Sequence, residues 1–593
     1  MGSPIVRGRH TVKPLVSALA LALGAAGCGI AADASAGTTP HPRIQALLAL
    51  QGQYRQWHQQ HGNLFFANVK RHHLARPGNG VPALQTVNTC VDDASSATTP
   101  GTLRYAVLNA VDGDTVDLGA LNCSTITLTQ GALPVSVNNL TLTGPANGTL
   151  AIDGNHADRV FMHTGTGTLA LQHLTVRNGY FANSSGPASG GCIVSYNGAV
   201  ALDHTTVSGC TAISTAASSP SASGGGVAAY VLTMVSSTLS GNTASAPTGV
   251  AGGGGAFFFG YNGFALDTST VSGNTAYGTA ALGGGLLTKY GMQARYSVLS
   301  GNVAHSIGGS GSGGKYLAAG GASFSLGGTQ LLASTVTGNS AQCVANTVCV
   351  GGGIDGGKYG PTMVAYSTID NNHSDVLGGG AVSKYSASIV QSTISGNAAK
   401  VGGGGVVLLN YRTGNNTIYN STVAMNTATL YGGGGVYLLN DPTLAMVSTL
   451  AARNTAPSGA DVYANGTAVT IAGSNDLVMA SANVTLPAGT LTADPLLQPL
   501  ANNGGPTRTH LLTAGSPALD AGANPMGFDF DQRGPGFPRA VGAAPDIGAA
   551  EGAFAPFVPI AVPTLGTWAM ALLAGLLGWL GLRGGRWRRA RRE

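Results

Sequence analysis

Charged side chains are scarce in this 593-residue sequence, and glutamate is almost absent. Only 9% of the residues are charged, and glutamate occurs only as Glu551 and Glu593. Enzymes that cut glycans need carboxylate pairs, or carboxylates with Lys or Arg over bound calcium, converging on one face. Between residues 200 and 480 every acidic residue is an aspartate, and these are widely spaced: Asp203, Asp267, Asp355, Asp370, Asp375, Asp441, Asp461 and Asp476. The composition therefore argues against a catalytic centre.

Motifs that mark common catalytic and metal sites are also missing. The sequence has no P-loop, nucleophile elbow, zinc motif or CxxC pair. We therefore predict no cofactor and no metal. The nearest thing to a site is a group of charged residues that we interpret as turn positions on a solvated face, with a catalytic cluster as the alternative: Asp355, Lys358, Asp370, His373, Asp375 and Lys384.

Positive charge is concentrated at one end of the chain. The formal net charge is +5. Six arginines fall within the last eleven residues: Arg583, Arg586, Arg588, Arg589, Arg591 and Arg592. The remaining body is close to neutral, so its charge does not indicate a nucleic-acid partner.

Glycine and one repeated unit are abundant. The chain has 92 glycines, and near-copies of "DTSTVSGNTAYG" (Asp267–Gly278) recur from Ala201 to Ala456. Their spacing averages about 31 residues, which is typical of solenoids. We expect the turn asparagines of the copies to stack as a hydrogen-bonded ladder. They are Asn242, Asn274, Asn302, Asn339, Asn372, Asn397, Asn426 and Asn454.

Each unit predicts short strands joined by tight turns. Ser-Thr followed by Val, Ile or Leu suits a strand, and the Gly-Asn that follows is a turn signal. A GGG run between successive copies supplies positive φ or close backbone approach. Such strands cannot close a core within one unit, so the units must stack as a parallel β-helix, which makes the protein all-β.

The cysteines indicate disulfides. Of seven, Cys28 lies in the leader described below. The other six form near pairs, which an oxidising compartment would bridge: Cys90 with Cys123, Cys192 with Cys210, and Cys343 with Cys349. The alternative is that they are unpaired small core residues.

The chain begins with features of an export signal. A basic region precedes an apolar run from Leu15 to Ala26, and Ala34-Ser35-Ala36 is a cleavage site that assigns residues 1–36 to a signal peptide. A lipid-modification box ending at Cys28 is the alternative. Residues 37–86 predict a helical arm that packs on or tethers the solenoid, although their interleaved aromatic and basic residues also occur in anionic-surface binders.

Residues 87–480 carry the solenoid pattern. Leu103, Val107 and Ala110 predict a short amphipathic helix that covers the first coil. The order GTLR, GDTVDL, LTLTGP and AIDG, followed by the SGNTA repeats, resembles bacterial right-handed parallel β-helix proteins of the polymorphic outer-membrane-protein and adhesin type. The resemblance implies a fold and no particular activity.

Residues 481–552 resemble, position by position, the choice-of-anchor Q domain of surface proteins. The matching positions are Asp494-Pro495-Leu496, Asn503–Thr507, His510, Ser516–Ala518, Asp520–Gly522, Asp531–Gly534 and Asp546–Gly548. The resemblance implies a C-terminal cap. Its His, Asp and Arg residues could be mistaken for a catalytic or calcium cluster, and we interpret them as buried ion pairs and turn carboxylates.

Residues 553–593 combine a linker, an apolar run and the arginine cluster. The run from Leu565 to Leu582 is about 27 Å long as a helix, enough for one bilayer crossing, and the arginines act as its stop-transfer signal. Val562, Pro563, Thr564 and Leu565 followed by this helix resemble the IPTL-CTERM sorting signal of Gram-negative bacteria. That resemblance implies an exosortase-like protease as a partner. The alternative is a permanent single-span anchor with a periplasmic body.

These features together predict an exported structural or adhesin-like protein. It would pass through an inner-membrane intermediate before reaching the cell surface or the medium. Its expected partners are the sorting protease, the membrane and an extracellular polysaccharide or surface matrix. A carbohydrate-active β-helix enzyme is the alternative function.

Overall fold

Short strands dominate the part of the chain that the computed structural model describes. This part is residues 82–552, with gaps at 219, 261–263, 309–317, 345–347, 357–358, 410–414 and 441. The strands form a right-handed parallel β-solenoid of about 12 turns. Within the described residues the helix Leu103–Leu108 is the sole α-helix. The predicted all-β class and β-helix architecture are therefore confirmed.

One coil visits three sheets. Leu286–Thr288 and Gly291–Arg295 lie in sheet 1, Val298–Ser300 in sheet 2, and Val303–Ser306 in sheet 3. Each strand pairs in parallel with its counterpart in the next coil, as Val271 does with Leu299. Successive coils are therefore one strand spacing apart, about 4.8 Å.

Counted over the described residues, the strands group into three main sheets. Sheet 1 has 25 strands, because most coils contribute two: Leu84–Thr86, Asp114–Asp117, Leu133–Val135, Leu140–Thr143, Phe161–His163, Thr168–Gln172, Ile193–Asp203, Val227–Val235, Ala256–Phe258, Phe264–Asp267, Leu286–Thr288, Gly291–Arg295, Ser323–Ser325, Gly328–Leu332, Ile354–Gly356, Thr362–Ala365, Ala381–Ser383, Ala387–Val390, Val406–Leu409, Asn416–Tyr419, Val436–Leu439, Leu444–Val447, Val462–Asn465, Ala472–Ser474 and Ser481–Ala482. Sheet 2 has 13: Thr125–Thr127, Ala151–Asp153, Thr175–Arg177, Thr206–Ser208, Thr238–Ser240, Thr270–Ser272, Val298–Ser300, Thr335–Thr337, Thr368–Asp370, Thr393–Ser395, Thr422–Ala424, Leu450–Ala452 and Leu477–Val478. Sheet 3 also has 13: Tyr180–Asn183, Ala188–Ser189, Thr211–Ser214, Ser221–Ser223, Thr243–Gly252, Thr275–Leu282, Val303–Ser306, Ala318–Ala319, Ser340–Cys343, Cys349–Val350, His373–Ser374, Ala398–Ala399 and Thr427–Ala428. A small fourth sheet pairs Val469–Thr470 with Val484–Thr485.

The main core runs along the inside of the coils. In sheet 2 the second residue of each strand points inward, and the residues on either side of it point outward, as strand alternation requires. One inward residue per coil builds a continuous buried column: Ile126, Ile152, Val176, Val207, Leu239, Val271, Leu299, Val336, Ile369, Ile394, Val423, Ala451 and Val478. No coil closes a core alone, so each depends on its neighbours.

A helix covers the N-terminal end, where the sequence predicts one. Leu103, Ala106 and Val107 belong to the same core cluster as the coils. The side chain of Thr102 caps the helix by accepting a hydrogen bond from the Tyr105 amide at 3.1 Å. The buried Arg104 pairs with Asp92 at 2.6 Å, which satisfies its charge beside the apolar end of the solenoid.

The prediction of a helical arm over residues 37–86 is wrong at the C-terminal end of that range. Leu84–Thr86 is a strand that pairs in parallel with Thr115–Asp117. The open edge of sheet 1 offers this segment backbone partners, and these outweigh its weak local preference. The rest of the arm lies outside the described residues.

The strands continue past the predicted boundary at residue 480, as far as Thr485. Residues 486–552, which we call the docked segment, have mainly irregular backbone with a few isolated bridges, such as Leu497 to Leu512. Leu497 and Leu512 pack with Leu450 and Leu477. The segment predicted as a cap therefore lies against sheet 2.

Several predictions of the sequence fall outside the described residues. They are the signal peptide 1–36, the transmembrane helix 565–582, the sorting motif and the six arginines. Within the described ranges, no helix combines the length and the apolar character that a membrane crossing needs.

We predict that Val271→Asp destabilises the solenoid. The side chain is fully buried, so a carboxylate there costs several kcal/mol, and adjacent coils lose their packing partner as well. Thr270→Asp is the matched control, because Thr270 lies on the outward face of the same strand. Thermal melting should drop clearly for Val271→Asp and little for Thr270→Asp. Equal melting of the two variants would contradict the core assignment.

Candidate functional site

The predicted asparagines form one buried column at the turn between sheets 2 and 3. Asn274 shows the pattern. Its Nδ2 donates to the Leu239 carbonyl at 3.0 Å and to Asn302 Oδ1 at 2.9 Å. Its Oδ1 accepts from the backbone N and the Nδ2 of Asn242, at 3.0 and 2.9 Å. Both amide protons and both lone pairs of Oδ1 are therefore used, as burial requires.

The asparagine column explains the glycine runs. The last glycine of each run lies directly against an asparagine side chain. A β-carbon at Gly255 would lie 3.1 Å from Asn274 Cγ, and one at Gly285 would lie 3.0 Å from Asn302 Cγ. Each would also lie 2.8 Å or less from a carbonyl oxygen of the next coil, so the packing favours glycine, although one coil accommodates Ala322 at this place. The first glycine of a run has a different role, because Gly283 has a φ of 63°.

A second column, of serines, was not predicted from the sequence. It lies at the turn between sheets 1 and 2. Ser269 Oγ donates to the Asp267 carbonyl at 2.8 Å and accepts the Ser237 amide at 3.1 Å. Ser237, Ser269, Ser297, Ser334, Ser367, Ser392 and Ser421 form the column. The signal was available, because a Ser precedes the Thr of most repeats and a buried hydroxyl needs a partner.

Two aspartates occupy the C-terminal ends of these columns. Asp461 Oδ1 accepts the backbone N and the Nδ2 of Asn454, at 3.1 and 2.8 Å. Asp476 Oδ1 accepts the Thr449 amide at 2.9 Å. Burial raises the pKa of Asp461, and it raises the pKa of Asp476 to about 7.

A disulfide occupies the N-terminal end of the asparagine column. Cys210 stands where later coils have asparagine, and its amide donates to Asn242 Oδ1 at 3.0 Å. Cys192 stands where they have the last glycine of the run, since Ile193 pairs with Val227. The bridge between the two cysteines therefore crosses the interior of one coil.

The other two predicted disulfides are also present. Cys90–Cys123 links the chain before the first helix to the strand region after it, and both cysteines pack against the main core. Cys343–Cys349 closes a short excursion between two strands of sheet 3. Each bridge secures a place where the regular repeat is interrupted.

The charged cluster singled out in the sequence is dispersed over three faces. Asp355 and Lys384 lie at sheet 1, Asp370 lies in sheet 2, and His373 and Asp375 lie at sheet 3. Lys358 lies outside the described residues. No group of three or more His, Cys, Asp or Glu in the described ranges is arranged to hold a metal ion.

Asp355 and Lys384 form a buried ion pair on the outer side of sheet 1. Lys384 Nζ lies 2.6 Å from Asp355 Oδ2 and 5.6 Å from the centre of the Phe324 ring. Burial raises the pKa of the Asp355 carboxyl, and the lysine opposes this shift. The other carboxylate oxygen, Oδ1, is buried with no hydrogen-bond partner in the described residues. Among the residues that the structure describes, no second carboxylate of the kind that glycan hydrolysis requires lies beside this pair.

The docked segment binds the outward threonines of sheet 2. Thr368 Oγ1 donates to the Arg508 carbonyl, and Thr393 Oγ1 donates to Gln532 Oε1, each at 2.6 Å. One coil further on, Thr422 Oγ1 accepts the Ala549 amide at 3.0 Å. The outward threonines, which the repeat places one above another, therefore supply hydrogen-bonding groups that hold this segment against sheet 2.

Charges also tie the docked segment to the coils. Arg508 forms an ion pair with Asp370, whose carboxylate is fully buried. His510 Nε2 lies 2.8 Å from Ser395 Oγ. Burial lowers the pKa of His510, which favours the neutral ring. These two contacts anchor the part of the segment that lies furthest toward the N-terminal coils.

Several other charged residues of the segment have partners within it. Arg533 pairs with Asp531 at 2.6 Å, and the fully buried Arg539 pairs with Glu551 at 2.7 Å. The Ala543 amide donates to the Asp520 carboxylate at 2.8 Å, and the Asp520 amide donates to the Asp546 carboxylate at 2.8 Å. The candidate catalytic or calcium residues thus serve as ion pairs and turn carboxylates.

Comparison with known proteins identifies the C-terminal tail. Residues 560–591 match the IPTL-CTERM motif, which marks a secreted protein with a C-terminal sorting signal. The crystal structure of a pectate lyase is similar to this chain at 13% sequence identity, covering 80% of this chain and 97% of that one, with a TM-score of 0.29. At that score the likeness carries no argument about activity. No curated protein matches the chain.

We predict that Asp476→Asn stabilises the last coils near neutral pH. The pKa of Asp476 in the folded state is about 7, against an ordinary value of 3.8, so the folded state favours the protonated acid. The stability that this acid contributes is complete below about pH 4 and is lost as the pH rises through about 7, by at most on the order of 4 kcal/mol. An asparagine can still accept the Thr449 amide and does not ionise.

Hydrogen exchange at the Leu477 amide, followed from acidic to mildly alkaline pH, measures this effect. The wild-type amide should lose protection as the pH rises, and the variant should lose less. Asp529→Asn, which removes an exposed carboxylate, is the control and should behave like the wild type. An unchanged pH dependence in Asp476→Asn would refute the assignment.

Proposed function

We propose that this is an exported, surface-displayed structural or adhesin-like solenoid that a C-terminal sorting signal delivers to the cell surface. In this proposal a Gram-negative cell exports the chain, and the apolar run at 565–582 holds it in the inner membrane. An exosortase-like protease then recognises Val562, Pro563, Thr564 and Leu565 and separates the body from its tail. The body remains on the surface or enters the medium.

The match of residues 560–591 to the IPTL-CTERM motif carries this proposal. Two properties of the described residues support it. The three disulfides suit an oxidising compartment outside the cytoplasm. The continuous core with satisfied polar columns is a rigid spacer, which suits display of a surface away from the membrane.

The docked segment gives the proposed cap a physical role. In the sequence it lies between the solenoid and the sorting tail, as its resemblance to the choice-of-anchor Q domain implies. It contacts sheet 2 of the solenoid, for example through the Asp370–Arg508 ion pair, and Met526 and Phe528 pack against Val390 of sheet 1. A cut within the tail would therefore leave the segment attached to the body, where it keeps the last coils covered.

An intact-mass measurement of the surface-exposed protein tests whether the tail is cut. We expect the surface material to end upstream of Trp568 and to lack the arginines, because a helix of this length leaves a bilayer very reluctantly unless it is cut. Replacing all six arginines by glutamine should impair retention before cleavage, since they hold the stop-transfer orientation. A surface chain that still carries Arg592 and Glu593 would overturn the sorting proposal in favour of a permanent anchor.

The alternative, a carbohydrate-active enzyme, has one feature in its favour, the Asp355–Lys384 pair beside Phe324. We propose binding without turnover, because no second carboxylate in the described residues joins this pair. Incubation with uronic-acid polysaccharides, with and without calcium, should give no new reducing ends and no unsaturated products. Product formation that Lys384→Met abolishes, while the fold survives, would establish the enzyme instead.

A further inference from the structure

An aromatic residue recurs at one turn of the solenoid. The turn lies between the two strands that most coils contribute to sheet 1. In two coils these strands are continuous, as Ile193–Asp203 and Val227–Val235, and the aromatic residue lies within the long strand. In seven consecutive coils this place carries an aromatic side chain six times, and Leu326 takes the place once. We call these six residues the aromatic ridge: Tyr196, Tyr230, Phe259, Tyr290, Tyr359 and Tyr385.

Backbone pairing stacks these turns directly on one another. The Lys289 amide donates to the Phe258 carbonyl at 3.3 Å, and the Leu326 amide donates to the Thr288 carbonyl at 3.1 Å. In the next coil the Tyr359 amide donates to the Leu326 carbonyl at 3.1 Å. The aromatic residues therefore follow one another along the solenoid axis over about 29 Å, offset by one or two positions along the turn and interrupted at Leu326.

Two neighbouring rings of the ridge touch. Tyr230 and Phe259 meet edge to face with centroids 5.6 Å apart, and Phe257, which lies beside the ridge, stacks on Phe259 at 5.5 Å. These contacts fix the orientation of the Phe259 ring, so this part of the ridge is preorganised for a partner.

The ridge is open to solvent at several points. Tyr196 is 49% exposed and Tyr359 is 62% exposed, while the other members are half-buried. Soluble proteins seldom leave a continuous aromatic line uncovered unless it binds something. Tyrosine suits a partner with both apolar faces and hydroxyl groups, because its ring is apolar and its hydroxyl is polar.

One exposed lysine lies on the ridge. Lys289 is exposed, and its Nζ lies 5.2 Å from the centre of the Tyr290 ring. The nearby carboxylate of Asp355 is paired with Lys384. A partner that places an apolar face on Tyr290 can thus place a negative group on Lys289.

We propose that the aromatic ridge binds a linear acidic polysaccharide along the solenoid axis. The apolar faces of successive sugar rings stack on the aromatic residues, and carboxylates of the glycan pair with Lys289. The coil spacing, about 4.8 Å, is close to the length of one sugar unit in an extended chain, so one coil addresses one unit. The proposal rests on the surface display argued above, which would bring the ridge into contact with such glycans.

Binding to the purified exported protein tests this assignment. The probes are hyaluronate, alginate and polygalacturonate, with neutral dextran as the uncharged comparison. We expect binding of at least one acidic glycan, weakened by added salt, and none of dextran. Tyr359→Ser and Tyr196→Ser should each weaken binding about threefold to tenfold. Lys289→Gln should weaken it and reduce its salt dependence.

Tyr431→Ser is the matched control, because Tyr431 is 60% exposed but lies at the corner between sheets 3 and 1, away from the ridge. It should bind like the wild type, and all these variants should melt near the wild-type temperature, since the replaced side chains are at the surface. Binding of no acidic glycan, equal binding of dextran, or equal losses in Tyr359→Ser and Tyr431→Ser would overturn the proposal. The binding results do not depend on the tail. If the tail is uncleaved and glycan binding is normal, the sorting proposal is wrong and the glycan-binding proposal stands.

Discussion

A buried amide at each turn must find its hydrogen bonds in the neighbouring coil, and the solenoid depends on this constraint. Asn274 Nδ2 donates to the Leu239 carbonyl of the preceding coil and to Asn302 Oδ1 of the following coil. Leaving such a group unsatisfied would cost about 1 to 3 kcal/mol. The same packing favours the glycine runs, because a β-carbon at Gly255 or Gly285 would crowd the asparagine beside it. Coil registry, turn geometry and composition are thus consequences of one polar column.

At each end of such a column the last asparagine has no further asparagine to bond with, so its buried amide needs another partner. The two ends are closed by different chemistry. At the first coil Cys210 replaces the asparagine and bonds covalently to Cys192. At the last coil Asp461 offers oxygens to Asn454 and to the Ala480 amide. A carboxylate suits this position because the neighbouring groups are all N–H donors and need only an acceptor. Burial raises the pKa of this carboxyl, so that end of the solenoid is sensitive to pH.

The outer faces divide their roles. The threonine column of sheet 2 holds the docked segment, through Thr368, Thr393 and Thr422. That face is occupied by the chain itself over the last coils. The aromatic ridge lies on another face, at a turn of sheet 1, and it presents rings and a lysine to solvent. A rigid stack with one face covered and another carrying a line of aromatics is suited to holding an extended ligand near a surface.

The sequence by itself determined the period, the all-β class, the asparagine positions, the cysteine partners and the sorting tail, because these depend on local patterns that recur. It also predicted the short capping helix around Leu103. It did not reveal that Leu84–Thr86 is a strand, that Asp355 and Asp370 lie on different faces, or that the docked segment lies along sheet 2. Only the tertiary structure decided these points, because they depend on which edges and faces the coiled chain leaves open. The aromatic ridge belongs with them: its members are irregularly spaced in sequence, and the stacking of the coils brings them into line.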